Sequence, residues 1–89
     1  MLKQPYQLYF ERTDRSQNMA RFYHLAIEQT LFGTPSVIRR WGRIGTRGQS
    51  KIEHYGCEQE AVAAFLSLIG TRKSRGYRTI QVNQIRAGG

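Results

Sequence analysis

Four segments in the first two thirds of the chain alternate apolar and polar side chains, as β-strands with one buried face do. The predicted strands cover residues 8–13, 22–29, 37–45 and 49–55. A polar break at 14–18 and turn residues at 33–36 separate the first three strands. A loop with two glycines, at 45–48, joins the last two as a hairpin.

The spacing changes to that of a helix after Cys57. Apolar side chains then recur at the helical intervals i, i+3, i+4 and i+7, namely Val62, Phe65, Leu66 and Ile69. A second series with the same spacing begins one residue earlier, so apolar side chains cover a wide stripe of the helix surface. A stripe of this width predicts a helix that packs on a sheet. The helix is expected to end at Gly70 or, at the latest, at Gly76. Residues 77–82 predict one more strand.

The order of these elements predicts the fold class. Four strands, a helix and a final strand indicate an α+β domain, an antiparallel sheet of about five strands with one helix packed on a face. We expect this domain over residues 8–82, with short tails at 1–7 and 83–89. The aromatic side chains expected in the core and at its rim are Tyr6, Tyr9, Phe10, Phe22, Tyr23 and Phe65.

The third predicted strand carries apolar side chains on both of its faces. One face has Val37, Arg39, Trp41 and Arg43, and the other has Ile38, Arg40, Gly42 and Ile44. We expect Ile38 and Ile44 to belong to the core. Trp41 would then lie exposed on the opposite face, among arginines.

The charge of the chain narrows the class of partner. In 89 residues there are 14 Lys and Arg against 6 Asp and Glu, a formal net charge of +8. Such an excess favours a polyanionic partner: nucleic acid first, an anionic membrane surface or an acidic protein second.

Other classes of protein are excluded by composition. One cysteine (Cys57) and two histidines (His24 and His54) exclude an internal disulfide and a Cys₂His₂ zinc site. No segment approaches the ~20 apolar residues of a membrane-spanning helix. The first nine residues lack the apolar run of a secretion signal. We therefore expect a cytoplasmic, non-membrane protein with no metal and no cofactor.

Positive charge concentrates around the single tryptophan. The basic residues between positions 39 and 51 are Arg39, Arg40, Arg43, Arg47 and Lys51, and no acidic residue lies among them. An exposed indole flanked by guanidinium groups suits stacking on a base while the cations bind phosphates. The alternative is that Trp41 is a core residue, which would bury neighbouring arginines at a cost in free energy. The pattern alone leaves both interpretations open.

Several short motifs occur in an order that identifies a known family. They are Arg40-Trp41-Gly42-Arg43-Ile44-Gly45, Gly48-Gln49-Ser50-Lys51, Ala20-Arg21-Phe22-Tyr23, Glu60-Ala61 with Phe65, and Lys73 with Gly76-Tyr77. Together they resemble the WGR domain, a module named for its Trp-Gly-Arg triplet. This module occurs in DNA-dependent poly(ADP-ribose) polymerases and in small bacterial proteins. The resemblance covers about residues 8–77.

The resemblance implies a sheet with one helix and a role in binding nucleic acid. In the polymerases the module sits at a DNA strand break, where its tryptophan packs on the terminal nucleotide and basic groups hold phosphates. It implies that Trp41 is the packing platform, Arg43 a phosphate or interdomain contact, and Lys51 a contact to the nucleic-acid backbone. The full set of expected nucleic-acid-binding residues is Trp41, Arg43, Arg39, Arg47, Lys51, Arg21 and Lys73. DNA, at ends or nicks, is expected more than RNA.

Two positions depart from the family pattern. Ala20 replaces an asparagine, which weakens the case for terminal-phosphate recognition, and Cys57 replaces a capping serine. The remaining residues leave no room for an ADP-ribosyltransferase domain and contain no evident nucleophile–base pair, so we expect the module alone, without catalysis. The alternative function is a protein–protein interaction module that docks an acidic partner, or a neighbouring domain, on the same Arg-rich face.

Overall fold

The computed structural model describes residues 6–80. Its elements in chain order are β1 (Gln7–Asp14), a 3-10 turn (Arg15–Gln17), β2 (Met19–Gln29), β3 (Pro35–Arg43), β4 (Gln49–His54), α1 (Glu58–Ser74) and β5 (Arg78–Thr79). The strands form one antiparallel sheet in the order β4-β3-β2-β1-β5. The α+β prediction, with five strands and one helix, is confirmed. The expected domain limits stay a prediction, because residues 1–5 and 81–89 lie outside the described part.

One face of the sheet, called here the helix face, packs against α1 and forms the core. Its buried members are Phe10, Tyr23, Leu25, Ile27, Val37, Ala61, Phe65 and Tyr77. Phe10 in β1, Tyr23 in β2 and Trp41 in β3 stand directly opposite one another, so their side chains share this face. The other face, called here the open face, carries Tyr9 stacked on Phe22 at 6.1 Å between ring centroids.

The residues of β3 divide between its two faces as predicted, but the prediction of which face packs into the core is wrong. Ile38 stands opposite Ala26 on the open face, and Ile38 and Ile44 are only partly buried and lie outside the core cluster. Trp41 packs at the edge of the core instead of pointing away from it. The reason is register: Trp41 pairs with Tyr23, which shares its face with the buried Leu25 and Ile27.

The prediction for the aromatic core holds in part. Phe10, Tyr23 and Phe65 are core residues. Phe22 is buried but on the open face, with Tyr9 partly buried beside it. Tyr6 is 36% exposed and makes an edge-to-face contact with Phe65.

Helix α1 begins after Cys57 and continues through Gly70, which does not end it. The side chain of Cys57 makes no capping hydrogen bond, but Glu60 accepts one from the backbone N–H of Gly56 at 3.3 Å. At the other end, Gly76 has a φ of +91° and its N–H donates to the Lys73 carbonyl, while the N–H of Tyr77 donates to the Arg72 carbonyl. This pair of bonds is a Schellman motif, which ends the helix at a left-handed glycine.

The last predicted strand is shorter than expected. β5 consists of Arg78–Thr79 and pairs with Phe10 and Glu11 of β1. The predicted residues 81 and 82 of this strand lie outside the described part of the chain. Because the Schellman motif delivers the chain directly to β5, the end of α1 is fixed against β1, at the opposite side of the sheet from β4.

Candidate functional site

Trp41 lies at the edge of the core and packs against it. Its ring is tilted by 33° against that of Tyr23, with 6.5 Å between centroids. Trp41 is partly buried, between the two alternatives that the sequence left open. One part of the indole therefore contributes to the core, and the remainder is accessible to a ligand.

A guanidinium group lies over each ring of this aromatic pair, that of Arg39 over Trp41 and that of Arg72 over Tyr23. The Cζ atom of Arg39 lies 5.9 Å from the centroid of the Trp41 ring, and that of Arg72 lies 4.4 Å from the centroid of Tyr23. Both distances are typical of cation–π contacts. Arg39, Trp41, Tyr23 and Arg72 thus form a continuous line of cation, ring, ring and cation, called here the Trp41 line.

The Trp41 line contains buried polar atoms without partners. The Nε atoms of Arg39 and Arg72 and the hydroxyl oxygen of Tyr23 are buried and form no hydrogen bond within residues 6–80. Buried polar groups are otherwise almost always hydrogen-bonded, so three such atoms in one place distinguish this line from the rest of the core.

A second group of arginines lies beside the Trp41 line on the helix face. Arg12 in β1 stands directly opposite Arg21 in β2, and Arg21 stands directly opposite Arg43 in β3. We call these three residues the arginine row. Like charges that face each other across strands destabilise a sheet, which makes this placement costly for a protein without an anionic partner.

No carboxylate neutralises the arginine row. Within residues 6–80 the single ion pair joins Lys51 Nζ to Glu53 Oε2 at 3.9 Å, in β4. The pKa of the Asp14 carboxyl is lowered mainly by a hydrogen bond from Ser16, and Arg12 adds only a minor effect. In the row itself, Arg43 Nη1 donates a weak hydrogen bond to the Asn18 carbonyl at 3.4 Å. The row therefore retains its positive charge.

The structure brings five of the seven predicted site residues together. Arg21, Arg39, Trp41, Arg43 and Lys51 all lie on the helix face, where Lys51 stands opposite Arg39. Arg47 is exposed in the β3–β4 hairpin, and Lys73 is exposed in the last turn of α1. No side-chain hydrogen bond, ion pair or cation–π contact within residues 6–80 ties Arg47 or Lys73 to the group.

Arg12 and Arg72 lie in these two groups but are not among the seven predicted site residues. Arg12 follows the core residue Phe10 by two positions, which places it on the same face of the strand. Arg72 follows Phe65 by seven positions, which places it on the buried stripe of α1. Both signals were present in the spacing. The cation–π contact of Arg72 with Tyr23 places its guanidinium group in the Trp41 line.

The hairpin after Trp41 is shaped by close backbone contact. A Cβ atom at Gly42 would come within 2.7 Å of the Gly48 Cα atom. A Cβ atom at Gly48 would collide with the Trp41 carbonyl oxygen and approach the Phe22 ring to 2.9 Å. The two glycines let the hairpin fold back onto β3, which holds Trp41 and Arg43 at the end of the sheet.

The open face contains a serine–histidine contact, between side chains 18 positions apart in the chain. The Oγ atom of Ser36 lies 2.7 Å from Nδ1 of His54. Ser36 is only 3% exposed, and Glu28 stands opposite Ser36 instead of beside His54. A buried serine placed between the acid and the base does not form the relay of a hydrolase.

Among residues 6–80 no three His, Cys, Asp or Glu side chains are grouped to hold a metal ion. In the same range, no helix has both the length and the apolar character needed to cross a membrane.

Comparison with known proteins adds a family match and two relatives. The profile described as the WGR domain matches residues 6–84. The uncharacterized protein y4dW of Sinorhizobium fredii is 53% identical over 78 residues, which cover 88% of this chain and 38% of that protein. A crystal structure from Bacteroides fragilis superposes with a TM-score of 0.73 at 23% identity, over 84% of this chain and 19% of the other. The second likeness supports the fold, and both relatives are much longer than the matched part.

Proposed function

The chain belongs to the WGR domain family, and we propose that it binds nucleic acid, DNA in preference to RNA, through the Trp41 line and the arginine row. A role at DNA ends or nicks, in the cytoplasm and without catalysis, is part of this proposal. The main support for this proposal is the strand register, which places Arg12, Arg21 and Arg43 opposite one another on the helix face. No carboxylate in residues 6–80 forms an ion pair with any of the three. Phosphate groups would remove the repulsion that this arrangement creates.

Trp41 supplies the contact that a purely electrostatic surface lacks. Because the ring is anchored on Tyr23 and flanked by Arg39, it is held in one orientation before a ligand arrives. A terminal base or sugar that packs on its accessible part adds contact area without a large loss of side-chain entropy. The guanidinium group of Arg39 lies next to this position and brings a positive charge beside the ring.

The test is a titration of Trp41 fluorescence with blunt, nicked and single-stranded DNA and with RNA of the same sequence, at several salt concentrations. If about five phosphates are bound, the logarithm of the affinity falls with the logarithm of salt with a slope of roughly −4.5, or about 500-fold between 50 and 200 mM. An affinity that does not change with salt would refute the proposal.

A matched pair of variants in β3 tests which face binds. Arg43 belongs to the arginine row, whereas Arg40 is in the same strand but stands opposite His24 on the open face. Arg43→Ala should weaken binding and reduce the salt slope by about 0.9, the loss of one phosphate contact. Arg40→Ala removes the same charge and should leave the slope unchanged. Equal losses from the two variants would show that only net charge matters.

A second candidate is the docking of an acidic protein or a neighbouring domain on the same arginines. The length of both relatives favours it, because the matched part is only 38% of one and 19% of the other. Such a partner would contact Arg43 and bind more tightly than DNA does. Binding of a relative's adjoining segment that excess DNA does not displace would favour this candidate over the first.

A further inference from the structure

The outer edge of β4 has free backbone hydrogen-bonding groups. Within residues 6–80, β4 pairs with β3 on one side and with no strand on the other. Its six residues pair with β3 without interruption and include no proline or glycine. Bulges and prolines are among the features that protect edge strands from pairing, and β4 lacks both.

The pairing with β3 determines which residues of β4 face outward. The N–H of Tyr55 donates to the Pro35 carbonyl at 2.9 Å, so the position where these two residues face each other is hydrogen-bonded. Antiparallel ladders alternate between bonded and non-bonded positions. Gln49, Lys51 and Glu53 therefore bond to β3. Ser50, Ile52 and His54 direct their N–H and C=O groups to the free edge.

We propose that β4 pairs antiparallel with β4 of a second copy of this chain, about a two-fold axis at Ile52. Ile52 then faces Ile52 of the second copy, and Ser50 faces His54 of the second copy. All of these are residues whose backbone groups point outward. Each copy donates three backbone hydrogen bonds and accepts three. The exposed Ile52, with 55% of its surface in contact with water, becomes covered on the open face.

Charge selects this register over its neighbours. Centred on Ile52, the pairing places Lys51 opposite Glu53 of the second copy, twice, on the helix face. A shift of the axis to Lys51 would bring two lysines together, and a shift to Glu53 would bring two glutamates together. Opposite charges facing across strands stabilise a sheet, and like charges destabilise it. The existing contact of Lys51 with Glu53, 3.9 Å long and exposed, leaves both side chains free to exchange partners.

The dimer would place two nucleic-acid-binding surfaces on one side. An axis perpendicular to the sheet keeps the helix faces of both copies on the same side, with the two sheets joined into one of ten strands. Both Trp41 lines would then face the same way. The pairing depends only on β4, so it holds or fails independently of the proposed binding of nucleic acid.

Charge reversal is the first test, measured by sedimentation equilibrium of the nucleic-acid-free chain at moderate salt. Lys51→Glu and Glu53→Lys should each weaken dimerisation by about 10-fold or more, because two attractive pairs become repulsive. The double variant Lys51→Glu/Glu53→Lys restores opposite charges with an unchanged net charge, and should recover the dimer. A chain that stays monomeric up to about 1 mM, or a dimer that none of these variants affects, would overturn the proposal.

Position 52 gives a second, independent test. Ile52→Pro removes an N–H group that does not bond to β3, so the variant should keep its fold by circular dichroism and lose the dimer. In a Cys57→Ser background, Ile52→Cys should form a crosslinked dimer under mild oxidation, since facing Cα atoms at bonded positions are about 5.5 Å apart. Leu31→Cys, at a hairpin position that is 99% exposed, is the control. Equal rates of crosslinking at the two positions would contradict the proposed pairing.

Discussion

Replacement of Arg21 by glutamine should make the free protein more stable. Arg21 is the middle member of the arginine row, so its charge takes part in both like-charged pairs, with Arg12 and with Arg43. Each directly opposed pair costs roughly 0.2–1 kcal/mol. Because Arg21 is exposed and screened by solvent, the lower half of that range applies, and Arg21→Gln should gain about 0.5–1 kcal/mol. Most single substitutions instead lower the free energy of unfolding.

The gain should appear in urea denaturation followed by Trp41 fluorescence, and as an increase in Tm of about 2–8 °C for a domain of this size. It should fade at about 1 M NaCl, where the Debye length falls to roughly 3 Å. Arg47→Gln is the control, since Arg47 has no facing strand residue, and its stability should change by less than about 0.5 kcal/mol. A loss of stability in Arg21→Gln at low salt, or a gain that salt does not reduce, would refute the reasoning.

Three other predictions follow from the structure. Gly48→Ala should cost about 2–4 kcal/mol of stability, because a Cβ atom there meets the Trp41 carbonyl. Gly45→Ala also has a positive φ but meets nothing within 4 Å, so it should cost only about 1 kcal/mol; equal costs would contradict this. Trp41→Ala should cost about 1–2 kcal/mol in stability, less than for a fully buried ring, and about 1–3 kcal/mol in DNA binding by titration. Burial, and then Arg40, lower the pKa of His24. The folded protein therefore favours the neutral form of His24. The stability that this neutral form contributes is present above the pKa of histidine in the unfolded chain, about 6.5, and is lost as pH falls through the lower pKa of His24 in the folded protein. Denaturation at about pH 7 and pH 5 should show that decrease, and Arg40→Gln should reduce it; a decrease unchanged in Arg40→Gln would count against this cause.

Most of the secondary structure could be predicted because the longer elements show either the alternation of a strand or the spacing of a helix. Alternation at 22–29 identified β2, and helical spacing after Cys57 identified α1. The end of α1 was less certain, since Gly70 and Gly76 both interrupt the pattern. Only the Schellman bonds at Gly76 and Tyr77 distinguish the two glycines, and those bonds involve atoms that sequence spacing does not specify.

The faces of β3 could not be predicted from alternation alone. Val37 and Ile38 are both apolar, so the strand by itself does not say which face α1 covers. Which face packs into the core depends on the register with β2, where Trp41 stands opposite the buried Tyr23. The arginine row has the same origin: Arg12, Arg21 and Arg43 are far apart in sequence, and only the register of three strands brings them together.

The position of β2 within the sheet has a consequence for local opening of the structure. β2 bonds to β1 along one side and to β3 along the other, and five of its residues are buried. Its amide protons should therefore be the last to exchange with deuterium, at rates set by global unfolding. Exchange should be faster in β4 and β5, at the two margins. Protection from exchange should thus decrease outward from Tyr23 and Leu25 in β2, so that the Trp41 line is anchored in the most rigid strand of the sheet.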